Sequence, residues 1–231
     1  MLRHRPLHPM HLTLAVASFW SLGGFTSFSV ATDALPATIL SQADSKGAAS
    51  ETPQADRPTI AGQSMGQYAE QLDDESRVVR LRAIKSLGAF GSPAAEHIVA
   101  ALTHKDAGVR YIAAVHLGHI GGESLKSAVE TLQQQSEGES SYAVKMAIAF
   151  ALCNADVDTQ SHLQTLSAAL DHPDRGTSCS AAELLGDLGS KAEPVLAKLR
   201  DVHAKNKPGV KGGDYHRGGA AMNAIRKITA T

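Results

Sequence analysis

SRVVRLRAIKSLGAFG, residues 76–91, and AGVRYIAAVHLGHIG, residues 107–121, are one pattern written twice. Val79-Arg80 falls on Val109-Arg110, Ala83 on Ala113, Leu87-Gly88 on Leu117-Gly118 and Gly91 on Gly121, and upstream Leu72 falls on Leu102, each 30 residues apart. SCSAAELLGDLG, residues 178–189, is a further copy through Ala181-Ala182, Leu185-Gly186 and Gly189. Between them SYAVKMAIAFALC, residues 141–153, keeps Val144-Lys145 and Leu152. A last copy runs from about Asp214 to Ile228, and the step loosens to roughly 33–39 residues beyond the first pair.

Each copy has the same physical grammar. One helix ends in a Leu and an acidic or His-containing turn (LDDES, LTHKD, LDHPD), and a second helix starts at Ser or Asp, whose side-chain oxygens suit an N-cap. Val, Ala and Leu then recur at i, i+4 and i+8, one face of an α-helix. The Gly after the Leu, and another three residues on, are expected to end the helix and turn the chain. Pro93 and Pro194 fall near the starts of the helices that follow, where a missing N–H costs little. A hairpin this short cannot bury its apolar face alone and must stack on a neighbour. The expectation is an all-α, right-handed α-solenoid of about five helical hairpins.

Composition agrees. Apolar residues make up 43% of the 231 but aromatics only 4%, a balance suited to close-packed helices and poor in the stacking platforms that single-stranded nucleic acids use. The formal net charge of −1 gives no global pull toward nucleic acid. Cys153 and Cys179 form no CxxC, and are read as free thiols. Residues 1–31 read as a secretory signal: Arg3 and Arg5, an apolar run from Leu12 to about Leu22, then Ser29-Val30-Ala31 with small residues at the −3 and −1 places of a cleavage site. Residues 32–59, rich in Ala, Ser, Thr, Asp and Pro, read as a tether, and 60–231 as the repeat domain. An exported protein, periplasmic or extracellular and monomeric, is expected.

The V-R-x-x-A-x-x-x-L-G-x-x-G motif at 79–91 and 109–121 resembles the HEAT-like repeats named after phycobilisome lyases, with the likeness extending over about 64–228. AAELLGDLGSKAEPVLAKLRDV, residues 181–202, is also similar to HEAT-like tails of exported bacterial sulfatases, though no sulfatase catalytic domain is present. The resemblance implies armadillo-like architecture and a protein- or peptide-binding scaffold. Its alternatives are an accessory subunit of a secreted hydrolase, a bilin-lyase-like protein or a metal-dependent enzyme. HEAT-like deoxyhypusine hydroxylases hold iron through repeated His-Glu pairs; none occurs here, Glu96-His97 being reversed and unrepeated.

No GxSxG, HExxH, Walker or GxGxxG motif is present, so no catalytic residue, metal site or cofactor is assigned. His116 and His119 lie three apart on one helix without an identifiable third ligand. Arg80, Arg110 and Lys145 occupy matching places and are expected to form a ladder between repeats with inter-helix acids such as Asp74, Asp106 and Asp174. The Thr177-Ser178 copy lacks the cation. The stripe next to the core stripe holds Tyr111, Val115 and His119, with Lys85 before them and Met146 and Phe150 after. Together with Arg82 these are the expected partner-binding residues on a concave surface. The row runs from basic through apolar to acidic, ending at Glu183 and Asp187.

Overall fold

The computed structural model describes residues 58–230; the signal reading and nearly all of the tether reading lie outside them. The exceptions are Pro58 and Thr59, the latter of which with Ile60 pairs antiparallel to Gln63–Ser64. Ten α-helices follow among the described residues, as five successive pairs. They are α1 (Met65–Glu70) with α2 (Arg77–Ala89), α3 (Ala95–Ala100) with α4 (Ala107–Ile120), α5 (Gly122–Gly138) with α6 (Tyr142–Asn154), α7 (Thr159–Ala169) with α8 (Arg175–Asp187), and α9 (Leu196–Asn206) with α10 (Tyr215–Thr229). Second helices pack on one another in order: α2 on α4, α4 on α6, α6 on α8, α8 on α10. This is an all-α solenoid of five hairpins.

The N-caps of the second helices are Ser76, Asp106, Ser141, Asp174 and Asp214. Four of the five turns share one device two residues before the cap: a side chain there accepts the cap residue's own N–H. Asp74 does this for Ser76 (2.7 Å), His104 for Asp106 (2.9 Å), Glu139 for Ser141 (2.7 Å) and His172 for Asp174 (3.1 Å). The acidic and His-containing turns of the sequence are therefore backbone clasps. The repeat step lengthens where α5 reaches 17 residues against six in α3, and again in the loop before Asp214, whose N–H is taken by Asn206 Oδ1.

One expectation needs correcting. Gly88, Gly118 and Gly186 do not end their helices; they lie inside α2, α4 and α8. Each marks where the next second helix comes closest: the His116 ring lies on Gly88, the Phe150 ring on Gly118, and the Ala224 backbone on Gly186. The glycines three residues on do the turning, with φ of 68° at Gly91, 62° at Gly121 and 58° at Gly189, a region L side chains enter only with strain.

Two apolar clusters share α6. Val144, Ala147, Ile148, Ala151 and Leu152 belong to the N-terminal one; Met146, Ala149, Phe150 and Cys153 to the C-terminal one. A helix apolar all round belongs in an interior. Its C-terminal end is closed by Lys191, whose ammonium donates to the carbonyls of Cys153 and Asn154 (3.1 Å each) and pairs with Asp156 (2.6 Å).

Candidate binding groove

The ladder is built twice over from the same parts, with one oxygen gripped in the first rung and two in the second. Arg80 Nη1 donates to the carbonyls of Asp74 and Glu75, both at 2.8 Å, and Nη2 to Asp106 Oδ2 at 2.7 Å. Thirty residues on, Arg110 Nη1 donates to the carbonyls of His104 and Lys105, while Nε and Nη2 grip both oxygens of Glu139 at 2.8 Å. Each guanidinium ties the end of the preceding helix to the next repeat's cap. The Arg110 hydrogen bonds hold the Glu139 carboxyl below its ordinary pKa against burial. Burial alone would raise Asp106, but the Arg80 hydrogen bond, the Gly108 N–H and the charges of Arg77 and Arg80 hold it below its ordinary value.

The expected partners are partly corrected. Arg110 takes Glu139, which the sequence reading missed; its signal was its place two residues before the Ser141 cap, matching Asp74 before Ser76. Asp74 offers Arg80 its carbonyl, its carboxylate being occupied by the Ser76 N–H. Lys145 is exposed and makes no ion pair among the described residues; Asp174 accepts instead from the Thr177 N–H and hydroxyl. At the Arg position of α8, Ser178 is buried and donates to the Leu170 carbonyl at 2.7 Å. The cation shifts one turn earlier there: Arg175 reaches Asp214 at 2.9 Å, as Arg77 in the same register reaches Asp106 at 3.4 Å.

Of the stripe residues, Tyr111, Val115, His119, Arg82 and Lys85 retain surface, but Met146 and Phe150 are fully buried and present none to a partner. The reason is a contact that skips a repeat. α4 and α8 meet across the inner face of α6: Tyr111's phenol faces the Ser180 side chain, and His119 Nε2 lies 3.2 Å from Asp187 Oδ2, with Lys227 on the other Asp187 oxygen at 2.6 Å. The His119 ring stands edge-on to Phe150 at 5.0 Å, roofing it. Neither contact follows from helical spacing, since each joins residues about two repeats apart.

A groove of about 490 Å³ remains on the same face. Arg77, Leu81 and Lys85 from α2, Gly108, Tyr111 and Ile112 from α4, and Gly176, Thr177 and Ser180 from α8 line it, over Met146 beneath. It adjoins a second depression of about 480 Å³, which shares Leu81 and Lys85 and adds Ile60, Val78 and Arg82. Burial raises the Tyr111 phenol's pKa; Ser180 opposes this, and the charges of Glu183 and Asp187 add to it. The trough therefore has a cationic end at α2, an apolar floor and acids beyond Tyr111.

Chemistry is another matter. His116 is pressed on Gly88 with Nε2 unpartnered, its pKa lowered by burial and by the charges of His119 and Lys85. His104 and His172 are occupied by the turns, and His203 Nδ1 lies 2.9 Å from the Gly218 carbonyl. Among the described residues no three His, Cys, Asp or Glu side chains gather as a metal site would require. Both thiols are free; burial pushes Cys153 up to about 12 and also raises Cys179.

With this geometry in view, the match of residues 68–139 to the HEAT repeats family model has a structural meaning. The matched segment opens at Tyr68 on α1, whose hydroxyl donates to the Ile60 carbonyl, and closes at Glu139, the acceptor of the second ladder arginine. Helices α6 to α10 continue the stacking outside the matched residues. Among solved structures, one engineered protein aligns at TM-score 0.44 with 18% identity, covering 71% of this chain and 78% of that one. A second engineered protein aligns at 0.42 and 17%, covering 73% and 100%. A designed armadillo repeat protein aligns at 0.40 and 14%, covering 72% and 82%. None of the curated proteins compared matches the chain.

Proposed function

We propose that this HEAT-repeat protein is an exported, non-enzymatic scaffold that holds a polypeptide in the trough across α2, α4 and α8. One observation carries the reading: second helices α2, α4 and α8, far apart in sequence, meet over α6 to build a single groove with a half-buried tyrosine at its centre. Solenoids use such continuous faces for binding, because no one repeat has enough surface. Val78, 64% exposed at the trough's edge, is an apolar side chain left to solvent beside Leu81. Support for export is the Arg3/Arg5 start, apolar run and Ser29-Val30-Ala31 site.

The test is site-specific photo-crosslinking in the native cell. A photoreactive phenylalanine analogue at Tyr111 is expected to capture a discrete protein adduct, while the same group at exposed Glu130 on α5 is not. Equal capture at both places would overturn the groove assignment. Fractionation of the full chain in the same cells should find it outside the cytoplasm and shortened at its N-terminus; full-length protein in the cytoplasm would end the export reading.

A further inference from the structure

The trough's charge is uneven, and the unevenness specifies what fills it. On α2, Arg77 and Arg80 both lean on the single Asp106 carboxylate, at 3.4 and 2.7 Å, and Arg80 is the closer. Arg77, its side chain 66% exposed, therefore keeps most of its charge for solvent. Arg82 and Lys85 make no ion pair among the described residues, and both are exposed on the trough's walls. Only Arg77 and Arg80 share that carboxylate, itself 8% exposed, so the charges of Arg77, Arg82 and Lys85 stand largely free at this end of the trough. The acids on the same face lie beyond Tyr111: Asp187 is occupied by Lys227 and His119, leaving Glu183. Between the ends, Leu81 and Ile112 sit beside Tyr111 in a floor that is apolar but narrow.

Resting on the binding reading above, we infer that the occupant is an acidic, extended polypeptide segment. Its carboxylates lie over Arg77, Arg82 and Lys85, and an apolar side chain enters the floor between Leu81 and Tyr111. Charge complementarity selects it. A basic segment would meet three cations at the α2 end, where like-charge juxtaposition is costly. A purely polar one would leave Val78 and Leu81 uncovered. Glu183 limits how far the acidic stretch extends, so carboxylates belong at the α2 end alone.

The experiment uses the full chain and four fluorescein-labelled peptides of equal length: Leu alternating with Asp, with Asn or with Lys, and an all-Asp peptide. Fluorescence anisotropy is expected to rank Leu-Asp first, about tenfold tighter than Leu-Asn. The double variant R82E/K85E should abolish that preference with unchanged far-UV CD, both side chains being exposed. E183K should tighten Leu-Asp binding. If all-Asp binds as tightly as Leu-Asp, or anionic lipid vesicles compete equally well, the site is a general polyanion surface and the inference fails. If Leu-Asn or Leu-Lys binds as tightly as Leu-Asp and L81S abolishes that binding, the groove stands and the charge assignment falls. If no peptide binds, and none perturbs an NMR probe at Tyr111, both fall together.

Discussion

Gly118 is the most demanding position in the α4–α6 contact. A Cβ built on it falls 2.5 Å from Phe150 Cε1 and 2.7 Å from Cδ1, with the Ala151 Cα at 3.3 Å behind. Phe150 is fully buried, roofed by His119, so its ring has nowhere to swing without moving α6. Two effects compete in Gly118→Ala. Helix propensity favours the change by about 1 kcal/mol. Overpacking a filled core costs about 1–3 kcal/mol, and a ring pinned on both sides places this site at the upper end. The net expectation is a loss of about 1–2 kcal/mol, or a Tm lower by about 2–8 °C for a domain of this size. Gly219 on α10 supplies the control, because it is helical and exposed with nothing within 4 Å of its Cβ. There only propensity acts, and Gly219→Ala should gain up to about 1 kcal/mol. Urea unfolding followed by circular dichroism reads both. A Gly118→Ala protein as stable as Gly219→Ala would refute the close-packing account of the repeat glycine.

Three further outcomes follow from the same contacts. Arg110→Ala strands the buried Glu139 carboxylate and two backbone carbonyls, and should cost about 3 kcal/mol in urea unfolding, whereas joint replacement of Arg110 by Met and Glu139 by Leu should cost less. Glu139 has a depressed folded pKa, so its contribution is complete at neutral pH and is lost as pH falls below the ordinary glutamate value of 4.5 and through the folded one. Glu139→Gln should therefore flatten the stability profile on the acid side, and an unchanged slope would count against the pair. Cys153, raised to about 12, should stay unlabelled by a thiol reagent at pH 8 in the folded protein while half-buried Cys179 reacts; equal labelling rates would contradict the burial.

Much of the fold is legible because its rules are local. Val, Ala and Leu spacing, the Ser and Asp caps and the positive-φ glycines act within a turn or two, and each sits where the sequence reading puts it. Gly88, Gly118 and Gly186 were misread for an instructive reason: a glycine near a helix end looks like a stop, and only the neighbouring repeat reveals it as a landing place for a ring or backbone. Glu139 is not among the expected acids because the reading takes aspartates of the inter-helix turns, while the turn before Ser141 has a glutamate where Asp74 precedes Ser76. Met146 and Phe150 were misassigned because α4 and α8 meet over α6, a consequence of how repeats stack and not of any single repeat's pattern.

That roof also explains why α6 departs from the motif. A second helix in the middle of a loosely curved array would keep one polar stripe, as α2 does with Arg82 and Lys85. α6 has Phe150 where α2 has Lys85, and a buried Met146 where α2 has half-buried Leu81, because α4 and α8 take its solvent away. The contacts that do so are polar at their exposed edge, Tyr111 with Ser180 and His119 with Asp187, and apolar beneath. The arrangement divides the inner face in two. Over α6 it is closed by side chains of the protein's own; between α2 and Tyr111, among the described residues, no further helix roofs the floor, and the trough stays open. A solenoid that covers the middle of its inner face with its own helices leaves a ligand crossing α2 and α4 only the uncovered part. That confinement, more than any single residue, is the reason the proposed site lies at the α2 end.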